Sequence, residues 1–490
     1  MHIDATMDSS STRISSTRRV PPGVCIGIGI VAALAANIGC DDDDDSFVGQ
    51  SPLNPGGASG VAGAPGRAGA GNVAGAAGAS GPGGTVGGVA LDAGGSLDRN
   101  VFRPEEVPAT AQLISRLRAP DGFAVRAFAE NVGQARMLVA RGDQLYVTLP
   151  EPGDVLRIAD TDGDGSADER ATVATGLPLV HGIAFRGEQV YLATDTQVLI
   201  ASVDAQGGFS TPAVLIDDLP DGGQHPRRTL GISPDDELFI SVGSSCDACE
   251  ESNDEHATML VAALDGSSRR IFASGLRNTI GFAWHPTTRA LWGMDHGSDW
   301  RGDDIPPEEL NAIVEGADYG WPYCYGDRRV DPVIQDPPQG TKEQYCATTS
   351  DPTLSTQAHN APIGFTFYTG ASFPDDFQGD AFIAMRGSWN RLPPAGYKVV
   401  RLVFEEGVPR RFEDFVTGFL SDDGSSTFGR PAGITVAPDG SLLFSDDTSG
   451  VIYRVSYDAA DAGPAPTAPE PGPTPPPVVI PVPDAGANAG

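Results

Sequence analysis

Residues 233–243 read SPDDELFISVG, a turn-forming Pro-Asp-Asp followed at once by a short run of strand-forming residues. A turn that feeds an apolar strand is the signature of a β-hairpin. The same unit recurs as RGDQLYVTL from Arg141, RGEQVYLAT from Arg186, HPTTRALWGMD from His285, QGDAFIAMRG from Gln378 and APDGSLLFSDD from Ala437. The early copies stand roughly 45 to 50 residues apart, the length of a β-propeller blade. The fourth gap is about double, which places a long insertion there. Within each copy apolar residues are read as alternating, one face in and one face out. Six copies predict an all-β, six-bladed propeller. GVIYRVSY ends the domain as an inner or middle strand, and GFAVRAFAE from Gly122 begins it as an outer one, so one blade takes strands from both chain ends. A β-sandwich pair is the other fold weighed, and it explains the repeat less well.

The propeller occupies residues 101–458, which hold nearly all the aromatic residues. Around it the 490-residue chain is not globular in composition. Residues 41–100 are Gly- and Ala-rich with almost no aromatics, too little apolar surface to order themselves, and read as a disordered linker. Residues 459–490 form a Pro-rich disordered tail. Residues 1–40 read as an export signal: Arg13, Arg18 and Arg19 precede the apolar run VPPGVCIGIGIVAALAANIGC, which ends at Cys40. A cysteine after a small residue resembles a lipoprotein cleavage site, so a lipid-tethered protein of the periplasm or outer surface is expected. An uncleaved membrane anchor is the alternative, and either way the large domain is exported.

Export makes the cysteines legible. Apart from Cys25 and Cys40 they are Cys246, Cys249, Cys324 and Cys346, an even set that reads as disulfides in an oxidising compartment. Pairing Cys324 with Cys346 closes a loop of some twenty residues, worth about 3 kcal/mol through lost unfolded-state entropy. Cys246 and Cys249 would close on each other, with a redox dithiol as the rival reading.

With 65 acidic against 32 basic residues the net charge is -33, a field that repels phosphate backbones and excludes nucleic acid as a partner. Two acidic stretches stand out. In ADTDGDGSADER, Asp160, Asp162 and Asp164 sit at positions 1, 3 and 5 of a calcium-type loop, with Gly165 at the turn. Position 12 is Ala171, so Asp168 or Glu169 takes the place of the usual bidentate glutamate. The second stretch holds Asp295, Asp299, Asp303 and Asp304, with Trp300, Tyr319, Trp321 and Tyr323 nearby. Aromatic walls beside carboxylates predict a pocket for a polar ring compound.

Scarce basic residues make their placement informative. Arg227 and Arg228 follow His225, Arg277 and Asn278 open the fourth repeat, Arg386 ends the strand of the fifth, and Arg430 precedes the sixth. Equivalent positions in successive blades converge on one mouth of a propeller's channel, where guanidiniums suit a polyanionic ligand. Like charges beside His225 would favour its neutral imidazole, the form a general base needs. His181, in PLVHGIAF, is the competing base and reads more simply as a packed strand-end histidine.

From Pro120 to Tyr457 the chain resembles the pyrroloquinoline quinone (PQQ)-dependent soluble sugar dehydrogenases, the glucose/sorbosone dehydrogenase propellers, and is closer to the sorbosone-type branch. The resemblance is carried by GGQHPRRTLGISPDDELFISVGSSCDACEE, SGLRNTIGFAWHP, GDDIPPEELN with YGWPY, APIGFTFYTGASFP with GSWNR and GYKVVRL, and GRPAGITVAPDGSLLFSDD, in that order. It implies PQQ and calcium as cofactors, a sugar substrate and an external cytochrome or quinone as electron acceptor. By the same match His225 is the base that takes the hydroxyl proton, while Arg228, Arg277 with Asn278, and Arg430 hold the cofactor carboxylates. Arg386 stands where relatives place a Lys or His. Calcium would be held partly by main-chain carbonyls at Gly297 and Ser298, with Asp303 and Asp304 close by, although DHGSDWRGDD is longer than the glucose-type loop. Two other functions fit a propeller: a calcium-dependent lactonase, which needs no arginine cluster, and a non-catalytic surface-binding module, which has no use for His225 beside arginines.

Overall fold

The computed structural model describes residues 101–460; the expected export signal, Cys40, the expected linker and all but the start of the Pro-rich tail lie outside the described residues. Six four-stranded antiparallel sheets form within it. Numbered along the chain by their innermost strands, the blades begin at Leu138–Arg141, Gly182–Arg186, Leu230–Ile232, Thr279–Trp284, Pro362–Phe367 and Pro431–Val436. The repeat seen in the sequence is the hairpin from each inner strand into the second: Gln144–Leu149, Gln189–Ala193, Glu237–Val242, Leu291–Asp295, Ala381–Met385 and Leu442–Asp446. Blade 6 is closed by the chain's beginning, since Phe123–Ala129 pairs antiparallel with Ile452–Tyr457 in the register Phe123↔Tyr457. The ring therefore ends in a hydrogen-bonded sheet rather than two open edges.

The second strands are buried on both faces, so they read as continuous apolar runs and not the alternation expected. In blade 3, Leu238, Ile240 and Val242 pack into the cluster shared with blade 2, whereas Phe239 joins the cluster shared with blade 4. Six such clusters lie between consecutive blades. At about 1.5–3 kcal/mol for each large side chain fully buried, these wedges supply the main cohesion of the ring.

Toward the axis the blades crowd. A Cβ built on Gly281 of the blade 4 inner strand would lie 2.6 Å from the Ile363 carbonyl oxygen of blade 5. Gly281→Ala is thus expected to lower stability by ~1–3 kcal/mol through backbone displacement, read as a denaturant midpoint shifted at unchanged m-value. A midpoint equal to that of the wild type would show that the blades can part without cost.

The doubled fourth gap is an excursion in blade 4 between its third strand, Glu308–Ala312, and its outer strand, Leu354–Thr356. It carries the Cys324–Cys346 disulfide, and the Cys246–Cys249 disulfide lies between the second and third strands of blade 3. Before the first blade, residues 102–107 run as a strap: Phe102 N donates to Trp389 O, and Glu105–Glu106 pairs in parallel with Ser426–Thr427. Among the described residues no helix is long and apolar enough to cross a membrane.

Candidate active site

Each blade carries a basic side chain within three residues before its inner strand: Arg136, His181, Arg227 with Arg228, Arg277, His359 and Arg430. An inner strand delivers its first residues to the same end of the channel, so these groups collect at one mouth of the propeller. Arg386, which directly follows the second strand of blade 5, joins them.

His225 is buried in the loop before the blade 3 inner strand. Its Nδ1 lies 3.0 Å from the Ser244 carbonyl oxygen and 2.8 Å from Ser244 Oγ. Ser244 Oγ spends its own proton on the Cys246 carbonyl at 2.7 Å. Both oxygens therefore face Nδ1 as acceptors, which assigns the proton of the neutral ring to Nδ1 and leaves the lone pair on Nε2. Gly243 lets the neighbouring group approach. A Cβ there would meet the side chain of His225 and, at 2.8 Å, Asn278 Oδ1.

Arg277 lies beside them, with Nε donating to Asp247 O at 2.9 Å and Nη2 to Asp247 Oδ1 and Asp299 Oδ2, each at 3.0 Å. The entrance of its strand is fixed by Asp295, whose carboxylate accepts from the Arg277 and Asn278 amides and from Thr279 Oγ1. Asp446 repeats this device in blade 6, accepting from the Arg430 amide at 3.0 Å. In the next arc Asp447 bridges Arg136 and Arg386, with Arg386 Nε at 2.8 Å, while Arg430 Nη2 donates to Gly387 O and its guanidinium lies over the Tyr397 ring. Burial alone would push the Asp447 carboxyl up, but the charges of Arg386 and Arg136 outweigh it and hold the group at about 2. The arc concentrates positive charge in a chain whose net charge is strongly negative.

Residues 117–458 match the family described as TrAA12-like. The chain belongs to that family. An uncharacterised protein of Borreliella burgdorferi is 30% identical over 71% of this chain and 93% of its own length. A pyrroloquinoline quinone-dependent sugar dehydrogenase of Hypocrea jecorina is 24% identical over 70% of this chain and 90% of its own. Among solved structures, the calcium structure of the Trichoderma reesei family AA12 enzyme shares the fold with a TM-score of 0.62 at 23% identity, covering 70% of this chain and 98% of that one.

The TrAA12-like site uses several expected residues in other ways. Arg228, expected on the cofactor, donates to the carbonyls of Asp195, Pro220, Asp221 and His225, so it braces the loop that carries His225. Of the residues expected near the calcium, Asp303 accepts from Arg391 at its carbonyl and from the Leu392 amide at its carboxylate, and the Asp304 carboxylate faces Arg391 at 3.4 Å. Tyr319 and Trp321 line, with Asp295, Ser298 and Glu309, a small cavity of about 20 Å³, room for roughly one water and not for a ring compound. In the first acidic stretch, Asp160, Asp162 and Asp168 bring oxygens together, while Asp164 caps the Ser166 amide. His181 is fully buried in the channel; burial and then the charge of Arg136 lower it to about 3, so it is neutral. Arg136, Asp447 and Ser244 were missed. Arg136 had a visible signal, since it precedes an inner strand just as Arg430 does, but Asp447 was one acid among many.

Beneath the mouth, Asp295 and Glu309 are cross-strand partners. Burial first, then the Asp295 charge, pushes Glu309 up to about 8. The folded state thus keeps a proton that the unfolded chain releases near pH 4.3, and stability falls as pH rises from there toward 8. Glu309→Gln is expected to flatten that decline, as measured by denaturant unfolding across this range. An equal slope in both proteins would show that Glu309 titrates normally.

Proposed function

We propose that the protein is a quinoprotein sugar dehydrogenase that oxidises an aldose or sorbosone-like sugar with PQQ and calcium, using His225 as base. One observation carries the reading: a histidine with its lone pair fixed on Nε2 sits in a ring of guanidiniums at the mouth of a propeller. The donor set fits a tricarboxylate, because Arg277, Arg386 and Arg430 converge there. In addition, Arg136 Nε and His181 Nε2 are buried without hydrogen-bond partners among the described residues.

When bound, PQQ supplies the two-electron acceptor for the hydride that leaves the carbinol carbon. His225 Nε2 takes the hydroxyl proton as the C–H bond breaks and the carbonyl forms. Ser244 holds the ring in the tautomer that can do so. Arg277, Asn278, Arg386 and Arg430 orient the cofactor, and Asp447 fixes two of the arginines before it arrives. Carbonyl oxygens of Gly297 and Ser298 accept no hydrogen bond among the described residues and suit a hard cation. A second, structural calcium is proposed for the oxygens that Asp160, Asp162 and Asp168 bring together. Electrons leave to an external cytochrome or quinone. Export and a lipid anchor at Cys40 remain part of the proposal.

The test is titration of the protein with PQQ and calcium by fluorescence, together with dye reduction over a panel of aldoses. Saturable binding with sugar-dependent dye reduction, abolished by a chelator and restored by calcium, is the expected result. No binding at micromolar PQQ would remove the dehydrogenase reading and leave a binding module.

A further inference from the structure

The Cys246–Cys249 disulfide, of sequence separation three, is absent from the chemistry above, yet the loop it closes touches both halves of the site. Asp247 inside the loop is gripped from several directions. Its Oδ1 accepts from Arg277 Nη2 at 3.0 Å and the Asp299 amide at 2.7 Å, and its Oδ2 from Arg301 Nη1 at 3.1 Å. Its carbonyl accepts from Arg277 Nε at 2.9 Å and Trp321 Nε1 at 3.3 Å. The carbonyl of Cys246 accepts from Ser244 Oγ, the group that faces His225 Nδ1. One three-residue closure therefore sets a guanidinium of blade 4 and an imidazole of blade 3. The two disulfides also differ in access: Cys246 and Cys249 are half-buried, whereas Cys324 and Cys346 are 6% and 2% exposed.

We propose that the Cys246–Cys249 bridge is a redox-labile brace, with Asp247 and Ser244 as positioning residues, so that opening it weakens cofactor binding and frees the His225 ring. A small dithiol delivers two electrons and two protons; the S–S bond becomes two thiols and the reductant becomes a cyclic disulfide. The released loop no longer fixes Asp247 against Arg277 or the Cys246 carbonyl against Ser244. Charge-assisted hydrogen bonds of this kind are strong enough that losing their geometry raises the Kd for PQQ by about tenfold or more. The cofactor half of this inference rests on the function proposed above; the histidine half does not.

The experiment uses the full chain in three forms: oxidised wild type, wild type treated with dithiothreitol until, of the four disulfide-forming cysteines, only Cys246 and Cys249 alkylate by peptide mapping, and Cys246→Ser/Cys249→Ser. PQQ affinity is measured by fluorescence and the His225 tautomer by nitrogen-15 NMR of the imidazole. Opening the bridge is expected to weaken PQQ binding, reversibly on reoxidation, and to turn a single Nδ1–H tautomer into a mixture, with the thermal midpoint of the propeller unchanged. Asp247→Ala in oxidised protein should reproduce the affinity loss while the tautomer stays fixed, because the Cys246 carbonyl is still held. Unchanged affinity and an unchanged tautomer after opening would overturn the brace. If the oxidised wild type binds no PQQ, the dehydrogenase reading falls while the tautomer measurement still decides the brace.

Discussion

His225→Ala is expected to lower kcat for sugar-dependent dye reduction by ~10²–10⁴-fold, the range a positioned general base contributes. PQQ affinity should stay near the wild-type value, because the imidazole is held by Ser244 on one side and offers only its Nε2 lone pair on the other. Stopped-flow reduction of the PQQ-loaded enzyme separates the two quantities. A variant that binds the cofactor but barely turns over fits a base. A variant that has lost binding as well places His225 among the cofactor contacts, and one with full activity hands the proton to another group. His181 is a poor substitute, since it is fully buried and Nδ1 lies 3.3 Å from the Arg228 carbonyl.

Asp447→Ala is expected to destabilise the protein by ~3–5 kcal/mol, the cost of breaking a buried ion pair from one side. Asp447 is 6% exposed and bonded to both Arg136 and Arg386, so its loss leaves two buried guanidiniums without that carboxylate. Denaturant unfolding reads the loss directly. An anionic ligand that binds only the folded state should restore part of the stability by mass action, so PQQ is expected to protect the variant more than the wild type. The pH dependence has a fixed sign. The folded-state value of about 2 lies below the usual carboxylate value near 3.9, so the carboxylate's contribution is complete above that value and lost as pH falls through about 2. A variant as stable as the wild type would mean that the arginines are held by their other contacts.

The ring was legible because each turn-and-strand unit repeats the same physical problem, a hairpin that enters the core, and six solutions in a row reveal the period. The pairing of Phe123–Ala129 with Ile452–Tyr457 was legible for the same reason, as a strand left over at each end. Alternation was misjudged where a strand lies between two blades, because both faces of Leu238–Val242 are buried. At the site, residue types marked His225 and Arg277 as chemical, but direction was hidden. Nothing in the letters separates Arg228, turned into loop carbonyls, from Arg227 beside it, whose guanidinium lies 3.6 Å from the Glu151 carboxylate. Nor could charge content single out Asp447 from the other acidic residues, since its role comes from blades 5, 6 and 1 meeting.

The closure of blade 6 also dictates when the molecule can become itself. Phe123 must wait for Tyr457, so the last latch forms only after some three hundred residues of intervening chain have been made and packed. Contacts of such high sequence separation slow folding and come late, because the entropy of the whole loop is spent before they form. Until then the ring is an incomplete arc with an unpaired edge, the state most exposed to aggregation. No closed propeller can form while either of these two strands is still missing.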